Sequence, residues 1–165
     1  MNRLILLRHG DAERDAESGD DFDRRLTDLG RREAEGAGLT LSELGLMPDL
    51  VLASAAVRVR ESWAEASRSF PGLEPQFEKE LYLAEPGFLR SVISLRGPKC
   101  HTLMIVGHNP GLQDLATRFL IEAGAPSSAI NRIRTGLPTA GAAVFLFDDN
   151  GRPAYDGLFY PRDRH

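Results

Sequence analysis

The stretch that decides the fold is Leu4 to Gly10, LILLRHG, an apolar run that ends abruptly in an arginine, a histidine and a glycine. A short apolar run of this kind predicts a buried β-strand. Ligands of open α/β sheets bind outside the carboxyl ends of the strands, so Arg8 and His9 are predicted to lie at that edge, where the glycine lets the backbone turn away. A second apolar run, Thr102–Val106, ends at residues 107–111, GHNPG. Two predicted strands therefore end in a histidine beside a glycine.

The rest of the chain alternates apolar runs with helical patterns. A helix with Thr27 as its N-cap is predicted to run to about Leu44, and a helix is predicted to begin at Leu112. Alternating strands and helices favour a three-layer α/β/α sandwich with a mostly parallel central sheet, in a single domain over residues 1–165. Further strands are predicted at residues 49–53, 76–78, 142–147 and 154–160, and further helices at 59–70 and 86–95.

Composition restricts the possible partners. The chain has 165 residues, of which 42% are hydrophobic and 27% charged, as is ordinary for one soluble domain. The formal net charge of −4 gives no broad basic surface for nucleic acid or for an anionic membrane. Cys100 is the single cysteine, so no internal disulfide is possible, and a buried or half-buried position is expected for it. The first apolar run is too short for a signal peptide or a membrane span, which predicts a cytoplasmic protein.

Arginines recur near the predicted strand ends. Arg58 lies about one helical turn beyond the strand at residues 49–53, and Arg24 and Arg25 close the polar loop that follows the first strand. Planar guanidinium donors suit phosphate oxygens, and a neutral imidazole can attack phosphorus to form a covalent phosphohistidine. Because several arginines converge on one edge, phosphate chemistry is favoured.

Other interpretations of these residues stay open. Any one arginine is more often a solvated surface charge, and either histidine alone is as often a structural residue as a catalytic one. A zinc site built from His9, His108 and a carboxylate is conceivable, although the chain has no HxxxH or CxxC spacing.

Four ordered blocks of sequence resemble the histidine phosphatase superfamily, also called phosphoglycerate mutase-like. RHG alone would be a weak signal, but the four blocks together span nearly the whole chain. The short length, the Asp-Ala pair after RHG and the segment Leu137 to Thr139 resemble the small SixA-type phosphohistidine phosphatases within that superfamily. The blocks are LLRHGDA at residues 6–12, RxLTxxG at 24–30, SxAxR at 54–58 and VGHNPG at 106–111.

The resemblance implies a metal-independent phosphatase with no cofactor that works through a covalent phosphohistidine intermediate. His9 would be the nucleophile, and the phosphoryl group would be surrounded by Arg8, Arg58 and His108. Arg24 matches the arginine of the second block and implies a further contact with a phosphoryl oxygen. Asn109, beside His108, is an additional phosphate-binding candidate.

The chain departs from the superfamily pattern at residues 81–84, LYLA. Many larger relatives carry a glutamate here that protonates the leaving oxygen. Asp11 and Glu80 are the candidate general acids, although Asp11 is equally suited to shaping a turn, and Glu80, like the other nearby glutamates, to a solvated surface position. The missing glutamate favours a phosphoramidate substrate, because an imidazole with a pKa near ~6.5 departs more readily than an alkoxide.

The predicted function is therefore removal of phosphate from phosphohistidine in proteins. An alternative on the same fold is a phosphatase of small phosphoester metabolites. A third hypothesis is a non-catalytic phosphate or phosphopeptide binder, which the intact His9 argues against. Nothing in the pattern indicates an oligomeric state.

Overall fold

A six-stranded sheet forms the middle layer of the protein, for which a computed structural model describes residues 1–161. The strands are β1 (Arg3–Arg8), β2 (Leu50–Ser54), β3 (Gln76–Glu78), β4 (Thr102–Gly107), β5 (Ala142–Phe147) and β6 (Pro153–Phe159). Their spatial order is β3-β2-β4-β1-β5-β6. The first four in that order are parallel, while β5 and β6 run antiparallel to their neighbours. The mostly parallel sheet predicted from the sequence is confirmed.

Helices cover both faces of this sheet. In β1, Leu4 and Leu6 point to one face, whereas Ile5 and Leu7 point to the other, as the period of two in a strand requires. Each face has its own buried apolar cluster, one packed against α1 and α2 and the other against α3, α4 and α5, which makes the protein a three-layer α/β/α sandwich. The helices are α1 (Asp28–Glu43), α2 (Val57–Ala66), α3 (Pro86–Arg96), α4 (Gly111–Glu122) and α5 (Ser127–Thr135). Within residues 1–161, none of them is long and apolar enough to cross a membrane.

The start of α1 packs directly on the end of β1. Thr27 is the N-cap, as predicted, and its hydroxyl accepts a hydrogen bond from the Gly30 N–H. A Cβ added to Gly10 would lie 2.3 Å from the carbonyl oxygen of Gly30. Gly10 is thus required by the close approach of two backbones, and no positive φ is involved. This contact fixes the backbone that follows His9.

Two features differ from the sequence-based prediction. Helix α5 was not predicted, because it has nine residues and begins within the stretch from Gly124 to Ser128, which has the composition of a loop. The loop between β1 and α1 carries a short 3₁₀ helix at Asp21–Asp23 and an isolated bridge between Ala12 and Leu26. The loop is therefore more ordered than its polar sequence indicates.

Candidate active site

His9 lies directly beyond β1 at the carboxyl edge of the sheet and is buried. Its Nδ1 is 2.7 Å from the carbonyl oxygen of Gly10. A carbonyl can only accept a hydrogen bond, so Nδ1 carries the proton and Nε2 keeps a lone pair. The Gly10 N–H in turn donates to Ser62 Oγ at 2.9 Å, and the Ser62 hydroxyl donates to the carbonyl of Arg58 at 2.7 Å. This series of hydrogen bonds thus holds the unprotonated His9 Nε2 in a fixed orientation.

His108 follows β4, the strand beside β1, and its ring centroid lies 5.4 Å from that of His9. His108 Nε2 is 2.7 Å from Ser54 Oγ, which also accepts a hydrogen bond from the Ala56 N–H at 3.2 Å. The buried Ser54 hydroxyl has no other acceptor for its proton within residues 1–161, so we assign that proton to the bond with His108 Nε2, which places the imidazole proton on Nδ1. That Nδ1 is buried and has no hydrogen-bond partner within residues 1–161. An N–H is therefore left for a ligand oxygen.

Arg58, the second residue of α2, is only 3% exposed. Its Nη1 donates to the carbonyl oxygen of Asp21 at 2.8 Å, and its Nη2 donates to Asp21 Oδ2 at 3.1 Å. The same carboxylate accepts from Arg24 Nη1 at 2.9 Å and from the Tyr82 hydroxyl. The Nε of Arg58 is buried without a partner in the described part of the chain. Like His108, Arg58 thus keeps a buried donor unused.

A backbone carbonyl links the remaining predicted residues. Leu137, which precedes β5, accepts from Arg8 Nη1 at 3.0 Å and from Asn109 Nδ2 at 2.9 Å. Its own N–H donates to Gln113 Oε1 at 3.1 Å. Asn109 Nδ2 is engaged with these protein acceptors, so the predicted contact of Asn109 with a phosphoryl oxygen would require its amide to turn around. The ends of β1 and β4 are held together through this carbonyl.

Comparisons with known proteins bear on the family and the fold of this chain. The model of the histidine phosphatase superfamily, branch 1, matches residues 4–84. The chain is 35% identical over 124 residues to an uncharacterised protein of Mycobacterium tuberculosis, an alignment that covers 75% of this chain and 77% of that protein. The structure is similar to that of a candidate phosphohistidine phosphatase, SixA, from Agrobacterium tumefaciens, with a TM-score of 0.83 and 29% identity over 97% of this chain and 98% of the other. The chain belongs to the histidine phosphatase superfamily.

A second solved structure extends the fold comparison. The protein histidine phosphatase SixA complexed with tungstate has a TM-score of 0.76 and 20% identity, covering 96% of this chain and 97% of that one. At that identity the likeness shows the fold alone. The family resemblance and the phosphoglycerate mutase-like fold predicted from the four sequence blocks are confirmed, and phosphatase activity is the function that this membership supports.

Within residues 1–161, no hydrogen bond joins the candidate general acids, Asp11 and Glu80, to either site histidine. The Asp11 carboxylate accepts from the Thr27 hydroxyl at 2.7 Å and so contributes to the start of α1. Glu80 is exposed on a 3₁₀ turn, and Glu78 pairs with Arg96 at 3.3 Å. In the segment that replaces the glutamate of larger relatives, Tyr82 packs edge-on against the His108 ring at 5.4 Å between centroids. The residue of this segment that lies beside His108 is therefore an aromatic ring and not a carboxylate.

Sequence reasoning missed three residues that shape this histidine phosphatase site. Asp21, Tyr82 and Ser62 make their contacts across distant parts of the chain, with no local motif to mark them. Arg25, which the sequence placed beside Arg24, instead pairs with Glu61 at 3.1 Å. Within residues 1–161, no group of three or more histidine, cysteine, aspartate or glutamate side chains is arranged to hold a metal ion.

Both site histidines have a pKa far below the ordinary value of 6.5. Burial lowers the pKa of His9 to about 3, and the neighbouring His108, Arg8 and Arg58 charges add to the effect, while the hydrogen bond to Gly10 opposes it. Burial likewise lowers the pKa of His108 to about 3, helped mainly by Arg58 and opposed by Asp21. The two imidazoles are therefore neutral in the unliganded protein at physiological pH.

These shifts make the folded state sensitive to mild acid. Below about pH 6.5 the unfolded chain binds protons on both histidines while the folded protein does not, so the free energy of unfolding falls as the pH drops from 6.5 towards 3. Each histidine adds a slope of up to about 1.4 kcal/mol per pH unit. Urea unfolding at pH 7, 6 and 5 in a phosphate-free buffer measures this loss. A free energy that stays constant over this range would contradict the burial of neutral histidines.

Proposed function

We propose that this protein is a metal-independent phosphatase that forms a covalent phosphohistidine at His9 and removes phosphate from phosphohistidine in proteins. The observation that carries the proposal is the Nδ1 contact of His9 with the Gly10 carbonyl, because it leaves the Nε2 lone pair available for attack. The neutral state of the ring supports the same role.

The neighbouring groups supply what a phosphoryl transfer needs. Arg58 and His108 each have a buried donor without a partner in residues 1–161, and Arg8 lies at the end of the same strand as His9. Such preorganised donors stabilise charge on phosphoryl oxygens in the transition state. Arg24 donates to the Asp21 carboxylate that also binds Arg58, and so adds a positive charge beside Arg58.

The reaction then proceeds in two displacements at phosphorus. His9 Nε2 forms a bond to phosphorus, and the bond from phosphorus to the substrate nitrogen breaks. The substrate imidazole, which has taken a proton from solvent on its second ring nitrogen, leaves as the neutral ring, and the hydrolysis step returns a proton to solvent. A water molecule next attacks the phosphorus on His9, the nitrogen–phosphorus bond breaks, and inorganic phosphate leaves while Nε2 regains its lone pair. No metal ion enters either step.

The substrate class rests on the residues beside His108. The Tyr82 ring packs against the His108 ring, and the Tyr82 hydroxyl contacts the Asp21 carboxylate. Asp21 is kept ionised, because hydrogen bonds from Tyr82 and Arg24 hold its pKa well below the usual range. An ionised carboxylate has no proton to give to a leaving alkoxide. A leaving group of low basicity, such as imidazole, needs little protonation, which favours phosphohistidine over an alkyl phosphate.

The proposed function predicts a ranking of substrates. We expect the highest kcat/KM with phosphohistidine, free or on a protein, a lower value with an aryl phosphate such as p-nitrophenyl phosphate, and the lowest with a phosphoserine peptide. Leaving-group basicity increases in that order, and the site offers little protonation to compensate. Steady-state release of inorganic phosphate from each substrate, in a buffer containing EDTA, measures the ranking.

Three results would contradict the proposal. An equal or higher kcat/KM with the phosphoserine peptide would favour a phosphoester substrate and would return Asp11 and Glu80 to consideration as general acids. Loss of all activity in EDTA with recovery on adding zinc would instead support a metal site at His9 and His108. Complete inactivity on every substrate, with binding of inorganic phosphate retained, would favour the non-catalytic phosphate binder.

A further inference from the structure

Asp21 is the hub of the hydrogen bonds around the predicted phosphoryl site, although no sequence motif marks it. Its Oδ1 accepts from Arg24, its Oδ2 accepts from Arg58 and Tyr82, and its backbone carbonyl accepts from Arg58 again. Two arginines that the resemblance assigns to phosphate are thus bound to one aspartate of the loop between β1 and α1.

Asp21 binds only one of the two edges of the Arg58 guanidinium. A guanidinium has a terminal edge formed by Nη1 and Nη2 and a side edge that includes Nε, and each edge can bind an oxyanion. Asp21 takes the terminal edge through Nη1 and Nη2, at 2.8 and 3.1 Å. The Nε on the side edge is buried and has no partner within residues 1–161. Asp21 therefore leaves one edge of Arg58 for another ligand.

The 3₁₀ turn that carries Asp21 is anchored in place. Phe22, the next residue, packs against the apolar cluster of α1 and α2, and its ring lies edge-on to Tyr82 at 5.0 Å between centroids. The backbone carbonyl of Asp21 makes the shorter of the two contacts with Arg58, so part of the interaction does not depend on the carboxylate at all. A removable plug of the phosphate site would not be expected to have these fixed attachments.

We propose that Asp21 is a positioning residue that orients Arg58, with its side edge towards the transferring phosphoryl group, and that holds Arg24 beside it. The Asp21 carboxylate does not touch the substrate and acts through the two arginines. Tyr82 contributes through the hydrogen bond that its hydroxyl donates to Asp21 Oδ2, which fixes the direction of the carboxylate. This inference rests on the proposed function for the identity of the ligand of Arg58, a phosphoryl group.

The test is a pair of substitutions in one turn. Asp21→Asn removes the charge and weakens the bonds to Arg58 and Arg24, and we expect kcat/KM to fall on the order of tenfold with p-nitrophenyl phosphate, because charge-assisted hydrogen bonds are lost. Asp23→Asn is the matched control, since the Asp23 carboxylate is exposed and accepts its hydrogen bond from the Ser18 hydroxyl, away from both arginines. Its kcat/KM should stay within about twofold of the wild type.

A double-mutant cycle shows whether Asp21 acts through Arg58. In an Arg58→Ala background, Asp21→Asn should lower kcat/KM by clearly less than in the wild type, because Arg58 is gone and only the contact with Arg24 is left to lose. An equally large loss in both backgrounds would mean that Asp21 acts elsewhere and would overturn the proposal. Tyr82→Phe, which loosens Asp21 without altering its charge, should show a smaller loss with the same dependence on Arg58.

Binding of tungstate provides a measurement that does not depend on turnover. The affinity for this tetrahedral oxyanion, followed by calorimetry, should weaken in Asp21→Asn and stay unchanged in Asp23→Asn. A tighter binding of tungstate or a higher kcat/KM in Asp21→Asn would show that Asp21 competes with the phosphoryl group, and the positioning role would be wrong. Because neither p-nitrophenyl phosphate nor tungstate contains phosphohistidine, a failure of the phosphohistidine assignment would leave this test intact.

Discussion

His9→Ala is expected to reduce turnover to background on every phosphorylated substrate. The substitution removes Nε2, the unprotonated nitrogen that the Gly10 carbonyl orients, and the neighbouring groups offer no second nucleophile in its place. His108 is the nearest imidazole, but its Nε2 is engaged with Ser54, and its Nδ1 is assigned a proton. The covalent route therefore depends on His9 alone.

The experiment compares two histidines of the same chain. His101→Ala is the matched control, because His101 is exposed on the segment before β4 and is remote from the site. Brief incubation with a labelled substrate should leave acid-labile, alkali-stable phosphate on the wild type and on His101→Ala but none on His9→Ala. Turnover by His9→Ala within about tenfold of the wild type, a barrier change of only ~1.4 kcal/mol, would remove His9 from the role of nucleophile.

Arg58→Ala should lower kcat/KM on the order of 10² or more, because a buried charged donor to the transferring phosphoryl group is lost. The guanidinium is 3% exposed, so water cannot replace it readily. Arg58→Lys should recover only part of the loss, since an ammonium cannot bind Asp21 and a phosphoryl oxygen through two edges at once. Steady-state kinetics with p-nitrophenyl phosphate measure all of these variants.

Substitutions of Arg24 and Arg25 provide the comparison for Arg58→Ala. Arg24→Ala should cost less than Arg58→Ala, because Arg24 is more exposed, with 27% of its side-chain surface accessible, and reaches the site through Asp21. Arg25→Ala is the control for loss of one positive charge from the same loop, since Arg25 pairs with Glu61. A larger loss in Arg24→Ala than in Arg58→Ala would mean that the inner arginine was assigned wrongly.

Much of the fold follows from the sequence because its signals are local. The apolar run before Arg8 and the N-cap at Thr27 each depend on residues within a few positions of one another, and the elements at both places form as predicted. Helix α5 was missed because its nine residues lie between Pro126 and Gly136, where turn-forming residues conceal a short helical pattern. Short helices of this kind are stabilised by packing, here through Ala129 and Ile133.

Only the site residues that belong to a sequence motif could be predicted from the sequence. The four blocks located His9, His108 and Arg58, and the structure brings these three residues together around one edge of the sheet. Asp21 and Tyr82 are 61 positions apart, and their contact arises only when the loop after β1 meets the segment after β3. A single sequence has no periodicity or spacing that marks such a pair.

The carbonyl oxygen of Leu137 gives the site an unusual kind of tolerance. Because this oxygen belongs to the main chain, no exchange of the Leu137 side chain removes the acceptor that Arg8 and Asn109 share. A substitution at position 137 therefore loses packing of the Leu137 side chain in the core, but it keeps the hydrogen bonds that connect the ends of β1 and β4. An insertion or deletion between α5 and β5 is different, since it shifts the oxygen itself. Within a lineage of this protein, the length of that connection should drift more slowly than its composition.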